Sequence, residues 1–395
     1  MTVAADPSAR LQALLAERTE ANARFFEHEA ERLARLCHVM AERFARGGRL
    51  IAFGRSPSAR SDARHIAVEF VHPVIVGKRA LPAIGLAGEG GDIAGQVSLI
   101  AAADDIAVAF GTESDDGDGA RALAIARDRG CLTIAFSPGA GAEWEFEPPA
   151  GDPYIRQELI ETLYHVLWEL VHVFFEHRGL LEGRTERRVH DAGASSFLYP
   201  FLDERESDLD AVLEDVRRSV LMKAGDVGAL REQTLTDNES VLVDAAAGLR
   251  ARFERGGKLL ALGNGGSATD AMDVVADFRA SGRPAIDLTE DPAILTAIAN
   301  DIGTDAIFSR QVIAYGARGD GLVALSTSGN SGNVIEALAE ARRRGLVTIA
   351  LVGYDGGRVA ADGLADYVVV TRSEHIPRIQ EAQASAYHAL RELVG

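Results

Sequence analysis

The chain repeats itself, and a repeat on this scale narrows the available folds more than any other feature. Residues 47–54 read GGRLIAFG and residues 256–263 read GGKLLALG. Each follows a long helical pattern rich in Ala, Leu, Arg and Glu. Each reads as a buried strand ending in glycine, then a loop of small residues, then a helix. CLTIAFS at 131–137 corresponds to LVTIALVG at 346–353, both β-branched runs after a helix that ends at Gly130 or Gly345. Near the end of each half come IRQELIETLYH (155–165) and RIQEAQASAYH (378–388). A period of roughly 210 residues is too long for a solenoid and fits a duplicated domain. Strands alternating with helices predict an α/β chain with two tandem doubly wound parallel sheets, each preceded by helices. Domains are expected over 1–185 and 208–395. The pattern is lost in the 186–207 linker, whose SSFLYPFL stretch is apolar enough to be expected to pack on something.

Composition excludes several classes. At roughly 150 residues per domain, 395 residues suggest two to three domains. The net charge of −18 argues against general nucleic-acid binding and against adhesion to anionic membranes. Cys37 and Cys131 are the 2 cysteines, too few for a disulfide framework, so a cytoplasmic protein is expected. The N-terminal stretch has no apolar signal core. The most apolar helix, around YHVLWELVHVFFEH, is interrupted by His165, Glu169 and His172 and does not read as a membrane span. The His172–His177 pair beside Trp168 reads as core or interface, and ARRRG at 341–345 as a helix C-terminus with favourable positive charge.

Two loops in the second half carry chemistry. Residues 263–268, GNGGSA, lie between an apolar strand and a helix. Asn264, Gly265 and Gly266 let the backbone approach an anion, Ser267 adds a hydroxyl, and a helix N-terminus supplies N–H groups and a positive dipole end. Alone, this is equally a tight turn. STSGNSGN at 326–333 again follows a strand and precedes a helix, placing Ser326, Thr327, Ser328 and Ser331 at one strand end. In a doubly wound sheet such loops line the ligand crevice, so the pair points to an anion site. A rival reading exists: Gly263, Gly265 and Ala268 satisfy G-x-G-x-x-A, with Asp287 or Glu290 spaced for a ribose. A dinucleotide, however, leaves STSGNSGN without a role.

Residues 256–395 resemble the phosphoheptose isomerases, of the sugar-isomerase (SIS) fold, through GNGGSATDA, AILTAIANDIG, FSRQV, STSGNSGNV, GYDGG and RIQEAQ…H. The first half resembles the same fold more distantly. The resemblance implies isomerisation of sedoheptulose 7-phosphate, serine-rich loops on the phosphate, and a Glu and a His in acid–base chemistry beside zinc. By that resemblance Ser267, Ser326, Thr327, Ser328 and Ser331 match phosphate-binding positions, Asp301 an active-site acid, and Gln380 and His388 metal-ligand positions. The second half departs from the family at Asp273, where the family has a ligand His. It departs again at Asp277, where the family has the catalytic Glu, and at Pro377, where it has an acid.

The first half shows the reverse. His65 and Glu69 are four apart, and Gln157 and His165 eight apart, so each pair shares a helix face. Against the family pattern all four fall on metal-ligand positions, allowing one inserted residue after FGRSPS. They would suit zinc or another divalent metal, or are polar residues of a helix surface or interface. Its counterpart of STSGNSGN is GTESDDGDG, where Glu113, Asp115, Asp116 and Asp118 would repel a phosphate. Arg55, Ser56 and Ser58 would meet an anion or cap a helix.

The expected function is therefore that of a sugar-phosphate aldose–ketose isomerase-like protein acting through an enediol. Asp277, Asp301, Gln380 and His388 are the catalytic candidates. The alternative is a catalytically degenerate phosphosugar-binding regulator or scaffold. A phosphosugar ligand and a homo-oligomer are expected; no nucleotide, nucleic acid or membrane is.

Overall fold

The structure, a computed structural model, describes residues 6–74, 78–87, 91–112, 116–176 and 208–395. Its first half runs α1 (Pro7–Ala45), β1 (Leu50–Phe53), α2 (Pro57–Val71), β2 (Ala83–Leu86), α3 (Ile93–Ile100), β3 (Ile106–Ala109), α4 (Asp118–Asp128), β4 (Leu132–Ala135), β5 (Trp144–Glu145) and α5 (Pro153–Glu176). The second runs α6 (Leu209–Asp237), α7 (Glu239–Phe253), β6 (Leu259–Leu262), α8 (Gly266–Ala280), β7 (Ala285–Asp287), α9 (Pro292–Asp301), α10 (Ser309–Tyr315), β8 (Gly321–Ser326), α11 (Gly332–Arg344), β9 (Val347–Gly353), α12 (Gly357–Ala361), β10 (Tyr367–Thr371) and α13 (Ile376–Val394). The strand orders are β2-β1-β3-β4-β5 and β7-β6-β8-β9-β10, all pairs parallel. The two halves are the same topology written twice, as the repeat predicts.

Burial on both faces explains why β1, β3 and β6 are apolar at every position. In the second sheet Leu259, Ala261, Val323 and Leu325 face a core built with α7, α8 and α13. Their neighbours Leu260, Leu262, Leu322 and Ala324 face another built with α10 and α11. Gly130 (φ +86°) and Gly345 (φ +78°) do end helices in the left-handed conformation.

The switch point places the sites. β1 pairs with β2 on one side and β3 on the other; β6 pairs likewise with β7 and β8. The loops after β1 and β3, and those after β6 and β8, therefore open side by side at the carboxyl edge of each sheet, where ligands of such folds bind.

The compact units are residues 21–225, and residues 1–20 with 226–395. This differs at both ends from a cut at 186–207, and the reason is packing. Leu11 and Leu15 join the core of Leu242, Leu249 and Leu390. Arg10 pairs with Glu392 at 2.6 Å, and Ser8 and Gln12 both donate to Glu239. In the other unit Val212, Val216 and Val220 of α6 join the core beneath α1 and α5. The 186–207 stretch, with its SSFLYPFL, lies outside the described residues, as do Glu113, Asp115 and His177.

Lys223 and Glu169 form an ion pair there with side chains 7% and 0% exposed. Removing one partner strands the other charge away from water. Lys223→Ala should lower unfolding stability by about 3–5 kcal/mol, and Lys223→Met with Glu169→Leu should restore most of it. Urea unfolding followed by circular dichroism checks both. His172, with ring nitrogens 2.8 Å from Trp168 O and 2.9 Å from Arg79 O, is a buried core histidine. Both cysteines are buried and free. Among the described residues no helix is long and apolar enough to cross a membrane.

Candidate functional site

In the second unit, the helices that open at the switch point begin without side-chain caps. The N-cap of α8 is Gly265 (φ +60°) and that of α11 is Ser331 in extended conformation; neither makes a capping hydrogen bond. Uncapped N-termini present backbone donors and the positive end of the helix dipole to whatever occupies the crevice. The two loops are tied to each other: Asn264 Nδ2 donates to Asn333 Oδ1 at 3.0 Å, and Asn333 Nδ2 to Asn264 Oδ1 at 2.9 Å. Ser326 Oγ accepts from Gly329 N at 3.1 Å and lies 3.4 Å from Ser331 Oγ. Ser328 Oγ accepts from Asn330 N at 3.2 Å. Ser267 is buried in the first turn of α8.

Glycine is obligatory at one turn of this pair. Gly329 has φ +62°, and a Cβ there would lie 2.2 Å from Gly356 O. Gly329→Ala is expected to cost about 1–3 kcal/mol from the backbone conformation alone and to displace the serine loop. A thermal melt together with a phosphosugar titration would register both losses.

The other candidates of this unit lie on α8, α9 and α13. Asp277 Oδ2 is 3.5 Å from His388 Nε2, and His388 is fully buried. Gln380 and Asp273 are also buried. Asp301 ends α9, exposed, with its carboxylate accepting from Asn300 Nδ2 at 2.7 Å. The structure thus brings Asp277 and His388 together, and no described contact joins Asp301 to them. Asp287, the ribose candidate of the dinucleotide reading, accepts from Thr289 N and Oγ1, both at 2.7 Å, in a local turn.

The first unit closes one of the two helix starts that the second leaves open: α2 is capped, whereas α4 begins at Gly117 without a side-chain cap. α2 begins with Ser56 Oγ accepting from Ala59 N, and Pro57 in its first turn has no N–H. Asp118, buried in the first turn of α4, accepts from Ile93 N (2.9 Å) and Ala94 N (3.3 Å) at the start of α3. Arg55 and Arg121 flank it at 3.4 and 3.1 Å. Burial pushes the Asp118 carboxyl up, but its amide and Arg partners outweigh this and hold it below the usual aspartate range. The loop was expected to repel a phosphate. Asp118 goes further, since its own carboxylate serves as the anion at this helix terminus.

Beside this lies a buried donor cluster. His65 on α2 and Glu161 and His165 on α5 bring ligand atoms within 4.8 Å of one another. His65 Nε2 is 3.3 Å from His165 Nε2. A tetrahedral zinc with nitrogens at ~2.0–2.1 Å separates them by about that distance. Tyr164 Oη lies 2.9 Å from His65 Nδ1, a partner that fixes the ring and its tautomer. Burial, with a smaller contribution from His165, holds His65 well below the ordinary histidine range, so the imidazole is neutral, as a ligand must be. The residues fit a divalent cation. Glu69 Oε1 is 3.8 Å from His65 Nε2, and Gln157 lines a neighbouring cleft. Sequence reasoning missed Glu161, although it stands midway between Gln157 and His165, four residues from each. The matching position on α13 is Ala384, and the matching partners of His65 and Glu69 are Asp273 and Asp277; among the described residues that unit gathers no comparable cluster.

Comparison with known proteins agrees with this architecture. A family model described as SIS domain matches residues 224–353. The phosphoheptose isomerase of Chlorobium phaeobacteroides is 43% identical over 202 residues, 49% of this chain and 85% of that protein. That of Vibrio cholerae is 42% identical over 189 residues, 46% of this chain and 96% of that protein. Among solved structures, the C-terminal domain of glucosamine-fructose-6-phosphate aminotransferase from Francisella tularensis has a TM-score of 0.60 at 10% identity. It covers 96% of this chain and 93% of that one, a likeness of fold across both sheets. The paired switch-point loops and the relatives that share their sequence establish that this chain belongs to the phosphoheptose isomerase family and is a sugar-phosphate isomerase-like protein of the SIS fold.

Proposed function

We propose that the second unit binds the phosphate of sedoheptulose 7-phosphate, or a closely related phosphosugar, and interconverts its ketose and aldose forms through an enediol. The observation that carries this reading is the pair of uncapped helix N-termini, α8 and α11, held side by side by the Asn264–Asn333 amide pair. Ser267, Ser326, Thr327, Ser328 and Ser331 add hydroxyls to the amides that would receive the phosphate, with Asn264, Gly265 and Gly266 shaping the approach. Asp277 and His388 are the acid–base pair, one removing the proton beside the carbonyl and the other returning it to the neighbouring carbon. Gln380 and Asp301 support substrate positioning. In the first unit His65, Glu161 and His165, with Glu69 beside them, would hold zinc or another divalent cation, which supplies Lewis-acid polarisation when bound.

One feature favours a second reading, a phosphosugar sensor without turnover. His388 is fully buried, and Asp277 is one methylene shorter than the family's glutamate. NMR in deuterated water with sedoheptulose 7-phosphate separates the two. Deuterium at the carbon beside the carbonyl, lost on Ser267→Ala with Thr327→Ala, is the expected result. Binding of the sugar phosphate with no exchange would establish the sensor, and no binding would defeat both.

A further inference from the structure

We propose that the cleft of the first unit is a separate site for a small uncharged polyhydroxylated ligand, a free sugar or alditol without phosphate. The cleft has a volume of about 240 Å³ and sits at that unit's switch point. Its walls come from α2 (Ser56, Ser58, Asp62), from Phe110 and Phe136 just past β3 and β4, and from Gln157 on α5. This is below the ~300–1,000 Å³ of a drug-sized pocket, so the occupant is small.

Gln157 marks the cleft as a place where something binds. It is 9% exposed, and its Nε2 is buried with no hydrogen-bond partner. A desolvated amide donor left unmade is costly, and a ligand oxygen would relieve it. The amide N–H would donate to an acceptor such as a hydroxyl or carbonyl oxygen. Two serine hydroxyls and the Asp62 carboxylate offer acceptors to further hydroxyls. Phe110 and Phe136, ring centroids 4.9 Å apart and both buried, form the apolar floor of the cleft.

Phosphate is disfavoured by the same residues. The first turn of α2 is capped by Ser56 and lacks an N–H at Pro57. Asp118 occupies the start of α3, outside the cleft lining, and within the lining Asp62 stands with Arg156, so the walls carry no surplus of positive charge. A dianion entering here would find a capped helix start and a lining in which Asp62 offsets Arg156, where the second unit offers free amides. The inference does not depend on turnover in the second unit.

Saturation-transfer NMR on the full chain, with D-ribose, D-mannose, D-glucitol and D-sedoheptulose as probes, tests it. At least one probe should receive saturation from the protein. Gln157→Leu should weaken its binding about tenfold, the equivalent of one buried hydrogen bond. Ser58→Phe, at a half-buried position on the rim, should plug the cleft and abolish binding without touching the amide. Ser267→Ala with Thr327→Ala should leave the signal unchanged, and excess inorganic phosphate should not displace the probe. Three results would overturn the proposal: no transfer to any probe, loss of transfer in the second-unit variant, or displacement by phosphate. If Gln157→Leu fails to fold, the Ser58→Phe result decides alone.

Discussion

Replacing Ser331 by aspartate is expected to raise the thermal midpoint slightly while abolishing phosphosugar binding. Ser331 is the N-cap of α11 and makes no capping bond. Aspartate is among the preferred N-caps and complements the helix dipole, a gain of about 0.5–1 kcal/mol. The same carboxylate would stand against an incoming phosphate. A pair of unit charges ~4 Å apart interacts by about 4 kcal/mol at the effective dielectric of a protein surface. The dissociation constant for sedoheptulose 7-phosphate should therefore rise at least about a hundredfold. Calorimetric titration beside a thermal melt reads both quantities. Binding kept within a few-fold of wild type would remove the anion from the α11 terminus. In the first unit the matching helix is α4, whose N-cap Gly117 also makes no side-chain bond; the next residue, Asp118, turns its carboxylate to the start of α3.

The second large effect concerns the donor cluster. Cobalt(II) added to the full chain should bind the first unit and produce the visible absorption bands of a low-symmetry nitrogen–oxygen site. Glu161→Ala and His165→Ala should each raise the metal dissociation constant by about a hundredfold or more, since even outer partners of a metal site cost 10–100-fold. Asp273→Ala, in the other unit, should leave it unchanged. Competition with a chelator gives the constants without reference to turnover. If Glu161→Ala binds cobalt as wild type does, the cluster of His65, Glu161 and His165 is a hydrogen-bonded core and not a metal centre.

Most of the fold could be read from the chain because parallel strands buried on both faces are apolar without interruption, and GGRLIAFG and GGKLLALG stand out against amphipathic helices. The serine loops were legible for a related reason: small residues between strand and helix leave little chemistry open except backbone donors and hydroxyls. The unit boundaries were not. α1 is one unbroken helix of 39 residues, and nothing in its periodicity says that the stripe holding Leu11 and Leu15 belongs with α7 and α13. Glu161 escaped because the ligand set was taken from a resemblance whose matching positions are Gln157 and His165. The four-residue spacing through Glu161 was present all along, but it becomes chemistry only when α2 places His65 opposite. Asp118 is legible as a negative charge and not as the partner of α3, because that contact joins residues 24 and 25 positions apart.

The division of α1 between units bears on how the chain is made. Residues 1–20 leave the ribosome before 21–225, yet their partners lie in 226–395. The unit of residues 21–225 can close during synthesis, whereas the other, interrupted in sequence, must wait for α13. Until then Leu11 and Leu15 lack the core in which they pack. A chain cut between the repeats would thus part residues 1–20 from the core that Leu11 and Leu15 join.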